Sequence, residues 1–243
     1  MAWRVGWLAI ALWLVCLSPV RACGIDLEVF CPEHITVGMQ AAYGGAILFP
    51  PDEACGPFDA GYRFVAGMQL DELLAGVDVL WLEIHAHTPP LHAQEINMWG
   101  EYLRRGGSLL VAASTRGKAE ANRLLEILGA RVRLGDDLSV VSARVPTPQW
   151  REDLVPIQLT EAVGLTGIDG SVTVLLEVAG HVGVGSLEAV GKGQLAVCAG
   201  TLDPLCHEDT EFDNGPFLQA LLGWLGTKAK AALLDERRLC VDQ

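Results

Sequence analysis

The sequence predicts an α/β fold with a central, mainly parallel sheet flanked by helices and an added β-hairpin region. Three observations predict it. Between residues 77 and 129, strand-sized apolar runs alternate with helix-sized amphipathic segments. The connections between them are short and rich in Gly and Pro, as in strand–helix–strand units packed on a parallel sheet. Beyond residue 130 the helical period fades, and strand-like runs separated by Gly and Pro take over.

Ala46–Phe49 is a short apolar run closed by Pro50-Pro51, which reads as a buried strand. Asp71–Ala75 reads as a short helix stopped by Gly76. Val77–Ile84 is the second core strand. Pro89-Pro90 then precedes a helix whose Ile96, Trp99 and Leu103 fall on one face, and Gly106-Gly107 ends it. Ser108–Ala113 is the third strand. The helix after it turns Leu124, Leu125 and Leu128 inward and stops at Gly129. Val140–Val145, Val172–Val178 and His181–Ala189 are strand-like. The last of these turns at Gly191-Lys192-Gly193 into Gln194–Ala199. Phe217–Leu225 and Lys228–Arg238 read as two closing helices.

The N-terminus carries the marks of a targeting segment: Arg4, an apolar stretch from Val5 to Leu17, then Pro19 and Val20-Arg21-Ala22. This predicts a signal peptide over residues 1–22, cleaved after Ala22, and a secreted or periplasmic protein. Arg21 stands where a lipobox wants a small residue, which argues against lipid anchoring at Cys23. The expected organisation continues with an irregular segment at 23–44, the α/β domain at 45–226 and a helical tail at 227–243. No later apolar run reaches membrane length.

The whole chain carries a net charge of −13. Such acidity repels phosphate backbones, so nucleic acid is not an expected partner. Cys23, Cys31, Cys55, Cys198, Cys206 and Cys240 follow the expected cleavage point. An even number in an exported chain makes all six candidates for disulfides, with the connectivity open. They form no C-x-x-C, so neither a zinc ribbon nor a redox motif is supported.

Several constellations resemble chemistry without completing it. Gly191-Lys192-Gly193 lacks the rest of a phosphate loop and enters a strand rather than a helix. No G-x-S-x-G surrounds Ser114, and Ser114-Thr115 reads more simply as a helix cap. The acidic run with Asp203, Glu208, Asp209, Glu211 and Asp213 lacks EF-hand spacing, and Asn214 before Gly215-Pro216 reads as helix entry. His85 and His87 alternate directly after the second core strand, so on an extended chain they would point the same way. If the strands are parallel, the loops after Phe49, Ile84, Ala113 and Ala199 gather at one edge of the sheet, where such folds bind ligands. The candidate ligand-binding residues are therefore His85, His87, Ser114, Thr115, Asp203, His207 and Glu208, with Glu53 at the same edge. No metal or cofactor is expected.

The phrases "GVDVLWLEI", "LHAQEINMWGEYLRRGGSLLVAAS" and "GKGQLAVCAG" with "DNGPFLQALLGWL" resemble the class I glutamine-amidotransferase-like superfamily. So does the helix carrying Asn122, Leu124, Leu125 and Gly129. The likeness is closer to the non-catalytic branch, seen in gliding-motility and intraflagellar-transport proteins and in exported bacterial proteins. It spans roughly residues 45–226 and implies a flavodoxin-like or amidotransferase-like architecture. Catalytic members place a cysteine just after the "GG-LL" strand and a His-x-Glu pair near the end. Here Ala113-Ser114 occupies the cysteine position, and His207-Glu208 are adjacent. The resemblance thus implies a domain without glutaminase chemistry, which binds a protein or small-molecule partner. Two other readings stay open: a metal-dependent hydrolase using His85, His87 and His207, and a structural domain of an envelope assembly.

Overall fold

A computed structural model describes residues 34–40, 43, 61–66, 69–138, 142–143, 157–178, 182–201 and 214–241, with side chains in the last helix described to residue 233. All fall in one compact unit, Glu33–Gln243. The elements begin with β1 (Ile35–Met39), β2 (Tyr62–Ala66), α1 (Leu70–Gly76), β3 (Val79–Ile84) and α2 (Ala93–Arg105). β4 (Ser108–Ala113), a 3₁₀ turn (Thr115–Gly117), α3 (Lys118–Leu128) and β5 (Arg133–Asp137) follow. Then come β6 (Ser142–Ala143), β7 (Ile157–Gln158), β8 (Val163–Thr166) and β9 (Val172–Val178). β10 (Val182–Val190), β11 (Gly193–Cys198) and α4 (Asn214–Val241) complete the order.

Seven strands form the main sheet in the order β2-β1-β3-β4-β11-β10-β9. β2, β1, β3, β4 and β11 run parallel, and β10 and β9 join antiparallel to their neighbours. The expected fold class, a mainly parallel sheet with a hairpin added, is the one observed. β5 pairs with β8, and β6 with β7, in two small sheets.

The continuous apolar strands have a physical reason: both faces of this sheet are covered. Leu80, Leu82 and Ile84 of β3 and Leu109, Val111 and Ala113 of β4 belong to one core with Ile96, Trp99, Leu103, Leu124 and Leu125. Their neighbours Val79, Trp81, Leu110 and Ala112 belong to the other, with Phe217, Leu218, Leu221, Leu222 and Leu225 of α4. Each fully buried Leu or Phe contributes roughly 1.5–3 kcal/mol, so both stripes are needed. α2 begins with a reciprocal cap between His92 and Glu95 and ends at Gly106 in the left-handed conformation. The Ser108 hydroxyl donates to the Leu225 carbonyl (2.9 Å), tying β4 to α4 across the second core.

Two expectations need correction. Ile35–Met39 is a core strand rather than part of an irregular segment. Thr36 and Gly38 interrupt its apolar pattern, so five residues were too few to show the period. Of the strand expected at Val140–Val145, Ser142–Ala143 form β6 and the other residues lie outside the described residues. The two closing helices are one continuous helix, α4. The strand expected at Ala46–Phe49 lies outside the described residues.

Candidate functional site

β3, β4 and β11 are parallel neighbours, so Ile84, Ala113 and Cys198 all end at one edge. The Ser114 amide donates to the Ile84 carbonyl (3.1 Å), holding the first loop residue beside β3. The 3₁₀ turn then folds onto the end of β3. A Cβ at Gly117 would lie 2.1 Å from the Ile84 carbonyl oxygen, so only glycine permits this approach. After β3 the chain also turns. The Thr88 amide donates to the His85 carbonyl (3.1 Å), and the His85 amide to the Thr88 hydroxyl (2.8 Å).

A further wall comes from far along the chain. Thr160 and Thr201 exchange backbone hydrogen bonds of 3.2 and 2.9 Å, and the Val163 amide donates to the Ala199 carbonyl (2.9 Å). These bonds lay residues 160–163 beside the end of β11. Glu161 is thereby brought to Thr115, whose amide and hydroxyl both donate to the Glu161 carbonyl, at 3.2 and 3.0 Å. Glu161 has φ 51°, in the left-handed region that disfavours a residue with a Cβ. Among the described residues it is the only non-glycine there. Strain of this kind, about 1–3 kcal/mol, persists where surrounding contacts over-determine it.

These loops enclose an open cleft of about 440 Å³, lined by His85, His87, Ser114, Arg116, Glu161 and Thr201, among others. Ser114 is 2% exposed, and its hydroxyl has no hydrogen-bond partner among the described residues. The His87 amide approaches His85 Nδ1 at 3.2 Å. A neutral His85 therefore accepts at Nδ1 and carries its proton on Nε2. The two imidazoles lie edge to face with centroids 6.3 Å apart. Arg116 and Glu161 form a loose ion pair, 3.9 Å, with both side chains well exposed.

Of the expected site residues, His85, His87 and Ser114 meet at this cleft. The two histidines do so from a turn rather than an extended chain. Thr115 adjoins them as the tether to Glu161, and neither Ser114 nor Thr115 acts as a side-chain helix cap. Asp203, His207, Glu208 and Glu53 lie outside the described residues. Arg116, Thr160, Glu161 and Thr201 went unseen in the sequence. Arg116 could have been found, since it follows Ser114-Thr115 in the same loop. The other three are placed by long-range backbone pairing, which has no local sequence signal. Among the described residues no group of three or more His, Cys, Asp or Glu could hold a metal ion.

Cys198, a disulfide candidate, is a free thiol buried in β11. Burial pushes its pKa up to about 12. It lies on a central strand, covered on that face by α4, and has no bridging partner among the described residues. Cys23, Cys31, Cys55 and Cys206 lie outside the described residues, as does the Cys240 side chain. No described helix is long and apolar enough to cross a membrane.

The chain shares its fold with solved proteins. It is similar to the mmIFT52 N-terminal domain, with TM-score 0.56 and 15% identity over 78% of this chain and 97% of that one. It is also similar to the cytoplasmic protein STM1381 from Salmonella typhimurium LT2, with TM-score 0.53 and 12% identity over 79% and 99% of the two chains. A third likeness is to the cytoplasmic protein STM3548 from Salmonella typhimurium, with TM-score 0.51 and 10% identity over 79% and 98%. No family model matches the chain, and no curated protein matches it. At these identities the likeness is one of fold. The description of STM1381 and STM3548 as cytoplasmic runs against the expected secreted or periplasmic location, which is withdrawn with this finding. The apolar N-terminal run that suggested export lies outside the described residues.

Proposed function

We propose that this chain is a non-catalytic binding or interaction domain of the amidotransferase-like type, with its ligand or partner seated at the C-terminal edge of the parallel sheet. The observation that carries the reading is the state of Ser114. By the resemblance to amidotransferases, Ala113-Ser114 stands where the catalytic cysteine would be. The Ser114 hydroxyl is buried and makes no hydrogen bond to a base among the described residues, although His85 and His87 line the same cleft. A serine hydroxyl that no base engages is a poor nucleophile, whereas a buried unpaired donor at a cleft suits binding. The fold shared with the mmIFT52 N-terminal domain and the two Salmonella proteins supports the architecture of this reading.

The test is a glutaminase assay on the intact protein, following ammonia release from glutamine. Release at the buffer level is expected. Turnover that disappears in Ser114→Ala would overturn the non-catalytic reading.

A further inference from the structure

The cleft at the sheet edge is rich in donors, and its ligand class follows from them. This inference rests on the proposed binding role. The chain as a whole repels anions, with a net charge of −13. Yet the cleft is lined by Arg116, His85, His87, Ser114 and Thr201. The Ser114 hydroxyl is nine-tenths buried or more and unpaired, so it has a donor to give and nothing described to receive it. His85 in its neutral form adds an Nε2–H, because Nδ1 is engaged by the His87 amide.

Among the described residues, one side chain at the cleft opposes an anion, the Glu161 carboxylate. Its pairing with Arg116 is long, 3.9 Å, and both side chains are well exposed. Exposed pairs of this kind contribute little. A ligand oxyanion at hydrogen-bond distance from the guanidinium would gain more, since charge-assisted hydrogen bonds are shorter and stronger. Glu161 is also held by its backbone, through Thr115, so its carboxylate can give way without loosening the wall.

We propose that the cleft binds a small ligand through an oxyanion, a carboxylate or phosphate group received by Ser114, Arg116 and His85. The remaining volume, within about 440 Å³, suits a small molecule rather than a polymer.

The experiment titrates the intact protein at fixed pH with inorganic phosphate, acetate, neutral glucose and zinc ion in turn, following the imidazole signals of His85 and His87 by NMR. Phosphate or acetate should shift both rings saturably, and glucose and zinc should not. Which anion binds more tightly separates a phosphate from a carboxylate ligand. Arg116→Ala and Ser114→Ala should each weaken the anion by about tenfold or more while leaving the melting temperature in place. Unchanged anion affinity in both variants would overturn the proposal, as would rings that respond only to zinc or to no probe. Saturable binding of glucose with no response to either anion would overturn the oxyanion class and leave the binding reading standing. Glutamine turnover in the earlier assay would instead overturn the reading beneath it.

Discussion

Thr115 gives two hydrogen bonds to a single acceptor, the Glu161 carbonyl: its amide at 3.2 Å and its hydroxyl at 3.0 Å. That pair joins the turn after β4 to a segment 46 residues further on. Thr115→Ala keeps the amide bond and loses the other, so it should cost about 1 kcal/mol in urea unfolding. Glu161→Gly relieves the left-handed backbone and should be neutral or stabilising by up to about 1 kcal/mol. Glu161→Val adds a β-branch there and should cost about 1–2 kcal/mol. Equal losses in the Gly and Val variants would show that φ 51° carries no strain.

The two serines that bracket β4 should respond oppositely to substitution. Ser108 donates to the Leu225 carbonyl at 2.9 Å, whereas Ser114 is buried with no described partner. Ser108→Ala should lower stability by about 1 kcal/mol. Ser114→Ala removes an unpaired buried hydroxyl and should leave stability unchanged or raise it. Thermal melts of the two variants compare them directly. A matching loss in Ser114→Ala would reveal a partner for its hydroxyl.

Gly117→Ala should be among the most damaging single-methyl additions. Its Cβ would lie 2.1 Å from a backbone oxygen, which cannot move as a side-chain tip can. Overpacking of this kind costs about 1–3 kcal/mol or more. Gly76→Ala is the control, because nothing lies within 4 Å of a Cβ there. It should be neutral or mildly stabilising in the same chemical-unfolding series.

Cys198 should resist alkylation in the folded protein and react only on unfolding, as mass spectrometry of the labelled peptide would show. Its folded pKa is raised by burial to about 12, while an unfolded thiol titrates near roughly 8.5. The unfolded state therefore loses its proton first as pH rises. The stability tied to this thiol is complete below the unfolded value and is lost as pH climbs from there through about 12. Cys198→Ala should flatten that alkaline decline. A native thiol that labels as fast as the unfolded one would contradict its burial.

Much of the architecture was legible because it is local. Ile96, Trp99 and Leu103 announce α2 by spacing, and the unbroken apolar runs of β3 and β4 announce strands covered on both sides. Gly106 and Gly129 were read correctly as helix stops. Gly226 lies between the two closing helices expected at Phe217–Leu225 and Lys228–Arg238, yet it stops neither. The helix runs on through it, and its missing Cβ leaves room for Ile35, whose Cγ2 would lie 2.3 Å from a Cβ there. Whether a glycine ends a helix or admits a neighbour depends on a residue far away in sequence. The cleft divides in the same way. His85, His87 and Ser114 follow recognisable strands, while Glu161 arrives through backbone bonds to Thr115, Thr201 and Ala199 by way of its neighbours. The buried Glu188 carboxylate, which accepts from the Arg131 and Val132 amides, was equally invisible in a hairpin read only for its turn.

The position of β4 has a consequence for the order of assembly. Ser108 pairs with Val79 on one side and Gln194 on the other. Closing the second contact joins roughly three times as much chain, which costs about 1 kcal/mol more in loop-closure entropy. β3, α2 and β4 should therefore pair early, while β11 docks onto β4 late, carrying β10 with it as a preformed hairpin. Pulse-labelled hydrogen exchange during refolding reads this sequence, since amides of β3 and β4 should gain protection before those of β11. The cleft is built across that same seam. Its walls from β3 and β4 would then exist before Thr201 and Glu161 reach them, making ligand competence one of the last properties the chain acquires as it folds.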